Sequence, residues 1–293
     1  MKYRITHRTE YRYGGDVSLG YNEAHLTPRG DMPQQRLLSH RVEVEPTPAY
    51  TSRRQDYFGN EIFYFTLQRP HRRLTVTAVS EVERLDEEPE LRLESAMTWE
   101  QVVAATAADP SDAGMEARKF LLDSPLVEPP PEVVAYATES FSPGRRFSEA
   151  VVEFIRRIHR DFTFDTAATS VSTPVAAVFA NRRGVCQDFA HLAIAGLRGM
   201  GIAARYVSGY LETLPPPGQE KLVGSDASHA WLAVYEPGTG WAEYDPTNDI
   251  IPSRQHIVTA LGRDYTDISP LRGVVFGGGG SQESSVAVDV ERM

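Results

Sequence analysis

The sequence predicts an α+β fold, with a β-rich N-terminal domain followed by a mixed core, and three observations support this prediction. Apolar and polar residues alternate with period two from Lys2 to about Leu85. The period becomes helical from Thr98, and strand-like segments return at Ala204. The chain has 293 residues, of which 41% are hydrophobic and 24% charged, so it can form two ordinary globular domains.

Residues 1–85 are predicted to form an antiparallel β-sandwich-like domain. One parity of the first strand carries the larger side chains, beginning with Tyr3, Ile5 and His7. Turn-forming stretches separate the strands at Gly14–Asp16 and Asp56–Asn60. This spacing of short strands and turns is typical of antiparallel packing.

Residues 86–145 are predicted to be a linker and a helical segment. The acidic stretch Asp86–Glu90 contains Pro89 and marks the linker itself. Thr98 and Gln101 have the spacing of a capping box, so a helix should begin there. A second helix is expected over Pro131–Glu139.

Residues 146–270 are predicted to form the core, which opens with helices. Ser148 is expected to cap a helix that runs to Phe162, and a short helix should follow over Pro174–Asn181. A long apolar helical pattern then begins at Cys186.

Strands should complete the core, at residues 204–211, 228–235 and 241–245. The turn cluster Glu236–Gly240 joins the last two strands into a hairpin. Residues 214–224 contain three consecutive prolines, and we expect them to act as a lid. Residues 271–293 are predicted to be a flexible Gly-rich link and one C-terminal strand.

Cys186 is the only cysteine in the chain, and it lies where a polar, Gly-containing stretch becomes the long helix. The N–H groups of a first helical turn have no partner within the helix, and their partial positive charge favours a thiolate over a thiol. The sequence therefore predicts Cys186 as a nucleophile.

His229 and Asp245 lie on the two arms of the predicted hairpin. If Tyr235 pairs with Trp241, His229 and Asp245 become diagonal neighbours on one face of the sheet. An imidazole can accept and return a proton, and a carboxylate can hold the imidazole and stabilise its charged form. We therefore expect His229 to be the general base and Asp245 to orient it.

Each of these three residues also has an ordinary structural interpretation. A lone cysteine is usually a small buried hydrophobe, and an Asp-Pro pair such as Asp245-Pro246 commonly starts a turn. The ordered set of nucleophile, base and orienting group on a helix and a hairpin favours catalysis. His191 lies well around the helix from Cys186 and is assigned either a structural role or a role in supporting the catalytic residues.

Composition argues against several classes of protein. A formal net charge of −10 is unfavourable for binding nucleic acid. No apolar stretch is long enough to span a membrane, and no signal-peptide core follows Met1, so we expect a cytoplasmic protein without a membrane partner. One cysteine cannot form an intramolecular disulfide or a Cys-rich metal site. The sequence leaves the oligomeric state open.

Several motifs resemble those of the transglutaminase-like superfamily, in its bacterial branch with a β-rich N-terminal region. The specific matches are Arg183–His191, Ala204–Tyr210, Ser228–Trp231, and Gly240-Trp241 leading to Asp245–Asn248. Weaker matches are His25–Arg29, Asp56–Asn60 and Gly262–Asp267. The resemblance implies a papain-like core without metal or organic cofactor, with Cys186 as nucleophile, His229 as base and Asp245 as orienting carboxylate.

Three functions follow as hypotheses. The first is a cysteine hydrolase that cleaves an amide bond of a peptide or protein substrate through a thioester, which water resolves. The second is a transglutaminase-type acyl transfer, in which an amine takes the acyl group. The third is a binding scaffold that no longer uses its catalytic residues.

Overall fold

A computed structural model describes residues 1–85, 96–213 and 227–293. The helices are α1 Trp99–Ala108, α2 Asp112–Lys119, α3 Pro131–Thr138, α4 Phe147–Asp161, α5 Val175–Asn181 and α6 Cys186–Gly199. The strands are β1 Lys2–Ala24, β2 Gln35–Glu45, β3 Tyr50–Gln55, β4 Glu61–Leu67, β5 His71–Arg84, β6 Thr163–Phe164, β7 Arg183–Gly184, β8 Ala204–Leu211, β9 Ala227–Glu236, β10 Gly240–Tyr244, β11 His256–Gly262, β12 Leu271–Gly277 and β13 Gln282–Arg292. Among the described residues, no helix is both long and apolar enough to cross a membrane.

The N-terminal sheet is organised around the long strand β1. The first half of β1 pairs with β5 and β13, and its second half pairs with β4 and β12. The pairing register with β5 shifts between Arg12 and Val17, which is the kind of irregularity that bends a strand. The predicted antiparallel pairing is present, but the sandwich-like arrangement is replaced by one curled sheet, because both halves share β1.

The C-terminal segment contributes two strands to this sheet. Both β12 and β13 pair antiparallel with β1, whereas the sequence predicts only one strand here. The glycines between β12 and β13 are also not the flexible link that the sequence predicts. Gly278 accepts a backbone hydrogen bond from Gly15 at 2.9 Å and donates one to Asp16 at 3.0 Å, so the link is fixed to the bend of β1.

The core consists of a four-stranded antiparallel sheet with helices packed on it. Its strand order is β10-β9-β8-β11, and α6 packs against β8, β9 and three other helices. Every residue of α6 from Gln187 to Arg198 is buried. Gly196 lets α4 come close, because a Cβ at that position would lie only 2.6 Å from the ring of Phe154. This packing holds both ends of α6 in a defined place.

The core elements agree with the sequence in part. The strand over 204–211 and the two arms of the hairpin are present within one residue of the predicted ends. Ser148 is wrong as a helix cap, because α4 begins at Phe147 and the N-cap residue is Arg146. Helix α2 and strand β11 are additional elements. Every residue of β11 is buried, so it lacks the alternation that would have revealed a strand.

The predicted domain boundaries at residues 85, 145 and 270 stay predictions. The linker Asp86–Glu90 and the lid over residues 214–224 lie outside the described residues.

Candidate active site

Cys186 is the first residue of α6, and the chain around it is fixed by Asp188. The Oδ2 atom of Asp188 accepts hydrogen bonds from Val185 N at 2.8 Å and from Thr169 Oγ1 at 2.6 Å. Gly184 permits this contact, because a Cβ there would lie 2.7 Å from the same oxygen. The half-buried thiol of Cys186 is thus held at a helix N-terminus.

The predicted hairpin register is confirmed. Tyr235 pairs with Trp241, and the ladder continues to Leu232 and Tyr244, where β10 ends. Asp245 is the next residue, and its backbone turns to form a bridge with Ile250. His229 therefore meets Asp245 by side-chain contact just beyond the paired part of the hairpin.

His229 lies between Cys186 and Asp245. Its Nε2 donates to Asp245 Oδ2 at 2.7 Å, and its side chain lies near enough to Cys186 for the two groups to interact electrostatically. Because Nε2 is hydrogen-bonded to Asp245, Nδ1 is the ring nitrogen that can interact with the Cys186 sulfur. The structure brings together all three residues that the sequence selects.

Electrostatics favour a charged imidazole at this position. Burial lowers the pKa of His229, but the hydrogen bond with Asp245 and the electrostatic interaction with Cys186 outweigh burial and raise it to about 10. An imidazolium beside a sulfur is the setting that favours a thiolate. The arrangement can therefore supply a nucleophile and an acid-base group in one contact.

Asp245 is completely buried, and donors surround both of its oxygens. Oδ2 accepts from His229 Nε2 at 2.7 Å, Asn248 Nδ2 at 2.7 Å and His256 Nε2 at 3.2 Å. Oδ1 accepts from the backbone N–H groups of Thr247 at 2.9 Å and Asn248 at 3.2 Å. Burial alone would raise the pKa of Asp245, yet these donors hold it well below its usual range.

Asn248 and His256 are the two neighbours of this site that sequence reasoning missed as site residues. Asn248 follows Asp245 by three residues, and an aspartate that starts a turn commonly binds groups two or three residues onward. That signal was available in the sequence. His256 approaches from β11, a separate strand, and nothing in its local sequence indicates the contact.

Trp231 forms one wall of the site and belongs to the core. Its ring stacks on His229 with a centroid distance of 5.8 Å and an interplanar angle of 26°. Its Nε1 donates to Glu243 Oε2 at 2.8 Å, and the side chain is fully buried. The stacking restricts the orientation of the His229 ring.

His191 does not join this group. Its Nε2 accepts from the backbone N–H of Tyr265 at 3.2 Å, and its ring lies 5.0 Å from that of Tyr206. Burial lowers the pKa of His191 to about 4, so the ring is neutral at ordinary pH.

His229, Asp245 and His256 are the described residues whose spacing would suit a metal ion. Their ligand atoms lie within 4.8 Å of one another. The same atoms are already joined by the hydrogen bonds given above, which account for their closeness. The expectation that the protein uses no metal and no cofactor stays a prediction.

Comparison with sequence families gives two matches that together cover most of the chain. Residues 3–83 match the model of the bacterial transglutaminase-like N-terminal region. Residues 134–246 match the model of the transglutaminase-like superfamily, and this range includes the three residues of the candidate site.

Individual relatives and a solved structure extend these matches. An uncharacterized protein of Mycobacterium tuberculosis is 42% identical over 293 residues, covering 99% of this chain and 92% of the relative. A protein-glutamine gamma-glutamyltransferase of Pseudomonas aeruginosa is 29% identical over 186 residues, covering 60% of this chain and 27% of that protein. The crystal structure of a candidate cysteine protease from Cytophaga hutchinsonii has a TM-score of 0.76 at 20% identity, covering 99% of this chain and 90% of that one. The last comparison shows that the fold is shared along the whole chain.

Proposed function

Since the chain belongs to the transglutaminase-like superfamily and is an enzyme of that superfamily, we propose that it is a thiol-dependent amide hydrolase with Cys186, His229 and Asp245 as its catalytic triad. One observation carries the proposal. His229 donates to Asp245 Oδ2 at 2.7 Å and interacts electrostatically with Cys186, so the base lies between the nucleophile and the orienting carboxylate.

The first half of the reaction forms a thioester. The Cys186 thiolate attacks the carbonyl carbon of the substrate amide, and the backbone N–H of Cys186 is a candidate donor to the resulting oxyanion. His229 gives its proton to the departing amine as the C–N bond breaks. Asp245 keeps the ring oriented and stabilises its charged form throughout.

The second half releases the acyl group. Neutral His229 takes a proton from water as the water oxygen attacks the thioester carbon. The C–S bond breaks, the carboxylic acid leaves, and the thiolate and imidazolium are restored. Water needs no binding site of its own, whereas transfer to an amine needs an amine site and protection of the thioester from water.

Acyl transfer to an amine is the second candidate. It is favoured by the likeness to the Pseudomonas aeruginosa protein, which is named a protein-glutamine gamma-glutamyltransferase. Both candidates use the same thioester and act on an amide of a peptide or protein. They differ only in the group that resolves the thioester.

The two candidates are separated by incubating the protein with glutamine-containing peptides and a labelled primary amine. We expect release of free acid, with little label in the peptide, and no product from the Cys186→Ala variant. Incorporation of the label without free acid would replace hydrolysis by acyl transfer. If a peptide library gives neither product and the Cys186 thiol is inert to iodoacetamide, the scaffold hypothesis is correct.

A further inference from the structure

We propose that His256 is a positioning residue for Asp245, and that the N-terminal sheet holds His256 in place through strand β11. The inference rests on the proposed function, because it assigns a support to the carboxylate of the same triad. In this role the N-terminal sheet supports the site and does not need to contact the substrate.

The orientation of His256 is fixed by its contacts on both ring nitrogens. Its Nδ1 accepts from Ser253 N at 3.3 Å, so the proton lies on Nε2, which donates to Asp245 Oδ2 at 3.2 Å. The side chain is fully buried, and its ring meets Trp231 edge-on at 5.1 Å and 78°. Both nitrogens are thus occupied by Ser253 and Asp245, and the hydrogen bond from His256 to the triad goes to Asp245.

The donors to Asp245 that come from other elements are the two histidines, His229 on β9 and His256 on β11. Asp245 stands beyond the end of β10, and its donors other than the two histidines, the backbone of Thr247 and both amides of Asn248, belong to its own turn. The backbone of this turn is also bonded to α4, where His159 Nδ1 donates to Thr247 O at 2.9 Å, but that contact does not reach the carboxylate. The hydrogen bond from His256 connects this turn to β11, which is part of the central sheet of the core.

Strand β11 pairs with β8 along one edge, and its other edge is attached to the N-terminal sheet. Gln35 Nε2 donates to Val258 O at 2.7 Å, and Val258 N donates to Gln35 Oε1 at 2.9 Å. Asn60 makes the same pair of contacts with Leu261, at 2.7 Å and 2.9 Å. Two side-chain amides therefore take the place of a neighbouring strand, and β11 is held from both sides.

Arg84 continues this attachment to His256 itself. The side chain is 4% exposed, and it donates to Gln35 Oε1 at 3.3 Å and to Ser253 O at 3.4 Å. Ser253 is the residue whose N–H donates to His256 Nδ1. Hydrogen bonds thus connect the last residue of β5 with the carboxylate of Asp245.

The test compares His256→Leu with His256→Gln in the full chain. Leucine has no donor, whereas the glutamine amide can donate from nearly the position of the histidine Nε2. The readout is the rate of Cys186 alkylation by iodoacetamide across the pH range, which needs no knowledge of the substrate.

The midpoint is the pH at which the alkylation rate reaches half of its maximum. We expect His256→Leu to move this midpoint to higher pH by about one unit. Without this donor, the carboxylate is held against His229 only by the groups of its own turn and can shift relative to the ring. The imidazolium beside the sulfur then loses the alignment on which its hydrogen bond depends. We expect His256→Gln to keep the wild-type midpoint. Arg84→Met removes the contact from the N-terminal sheet, and we expect it to shift the midpoint in the same direction as His256→Leu.

His7→Leu is the matched control, because His7 is equally buried at the same junction and bonds to Tyr210 Oη at 3.0 Å, away from Asp245. It should lower the melting temperature and leave the midpoint unchanged. A wild-type midpoint in His256→Leu, or an equal shift in His256→Gln, would overturn the positioning role. The proposed function is tested by the wild type itself. If wild-type Cys186 is alkylated no faster than in the unfolded chain, the proposed function is wrong, and this inference is wrong with it.

Discussion

At the residue scale, the site depends on a carboxylate that keeps its charge without solvent. Asp245 is fully buried, and donors from its own turn and from two histidines replace the water that a surface carboxylate would bind. A buried charge is tolerated only when it is paired and hydrogen-bonded in this way. The charge is then available to hold His229 as an imidazolium.

This pairing predicts a pH dependence of stability. The pKa of His229 is raised from 6.5 to about 10, so its contribution to folding is complete below pH 6.5 and is lost as the pH rises through about 10. We expect the free energy of unfolding to fall across that window by an amount on the order of a few kcal/mol. The Asp245→Asn variant should show a much smaller fall, because it removes the carboxylate that raises the pKa.

Urea unfolding at a series of pH values measures this slope. Asp16→Asn is the control, because Asp16 is an exposed carboxylate that forms its ion pair with Arg72 far from His229. It should keep the wild-type slope. An unchanged slope in Asp245→Asn would show that the carboxylate does not raise the pKa of His229.

At the element scale, helix α6 carries the nucleophile, and its first turn depends on a glycine. In the Gly184→Ala variant the new Cβ would lie 2.7 Å from Asp188 Oδ2 and 2.8 Å from Asp188 Cβ, so Asp188 must move away from Val185 N. We expect a loss of stability of about 1–3 kcal/mol. The alkylation rate of Cys186 should fall as well.

Thermal unfolding and iodoacetamide alkylation measure these two effects. Gly20→Ala is the matched control in β1, where the nearest atoms lie at 3.3 Å and beyond and can give way. It should leave the alkylation rate unchanged. If Gly184→Ala reacts at the wild-type rate, the start of α6 does not depend on the Asp188 contact.

The elements also show what a single sequence could predict. The hairpin register followed from one turn cluster, because pairing Tyr235 with Trp241 fixes every later pair. The family resemblance drawn from the motifs around Cys186 and His229 is confirmed. The catalytic roles of Cys186, His229 and Asp245 stay predictions.

Other features depended on contacts between distant segments. The curled sheet requires β12 and β13 to return to β1, and nothing within Leu271–Gly277 identifies its partner. His256 reaches Asp245 only because β11 lies beside β8. Periodicity describes one segment at a time, so it could not reveal either contact.

At the scale of the whole molecule, an ion pair joins the C-terminal strand to the core. Arg292 Nε and Nη2 donate to the two carboxylate oxygens of Glu212 at 2.6 Å and 2.8 Å, and Glu212 is 6% exposed. The Arg292→Met variant leaves a buried carboxylate without this partner. We expect it to cost roughly 1–3 kcal/mol of stability.

Chemical denaturation of the full chain tests this expectation. Arg4→Met provides the comparison, because Arg4 pairs with Glu81 in the same sheet but both side chains are solvent-accessible. That exposed pair should be worth about 0–1 kcal/mol. Equal losses in the two variants would mean that the Arg292 pair adds nothing beyond an ordinary surface contact.

The cytoplasmic location expected from the sequence stays a prediction.

The pairing of β1 with β13 has a consequence for how the chain is made. The two strands lie side by side, with Tyr3 opposite Arg292, so β1 acquires this neighbour only after all the segments between β1 and β13 have been synthesised. Until then one edge of β1 is an open template for pairing with other nascent chains. Contacts this distant in sequence also slow folding. Expression yield should therefore depend on chaperones that shield that edge during translation.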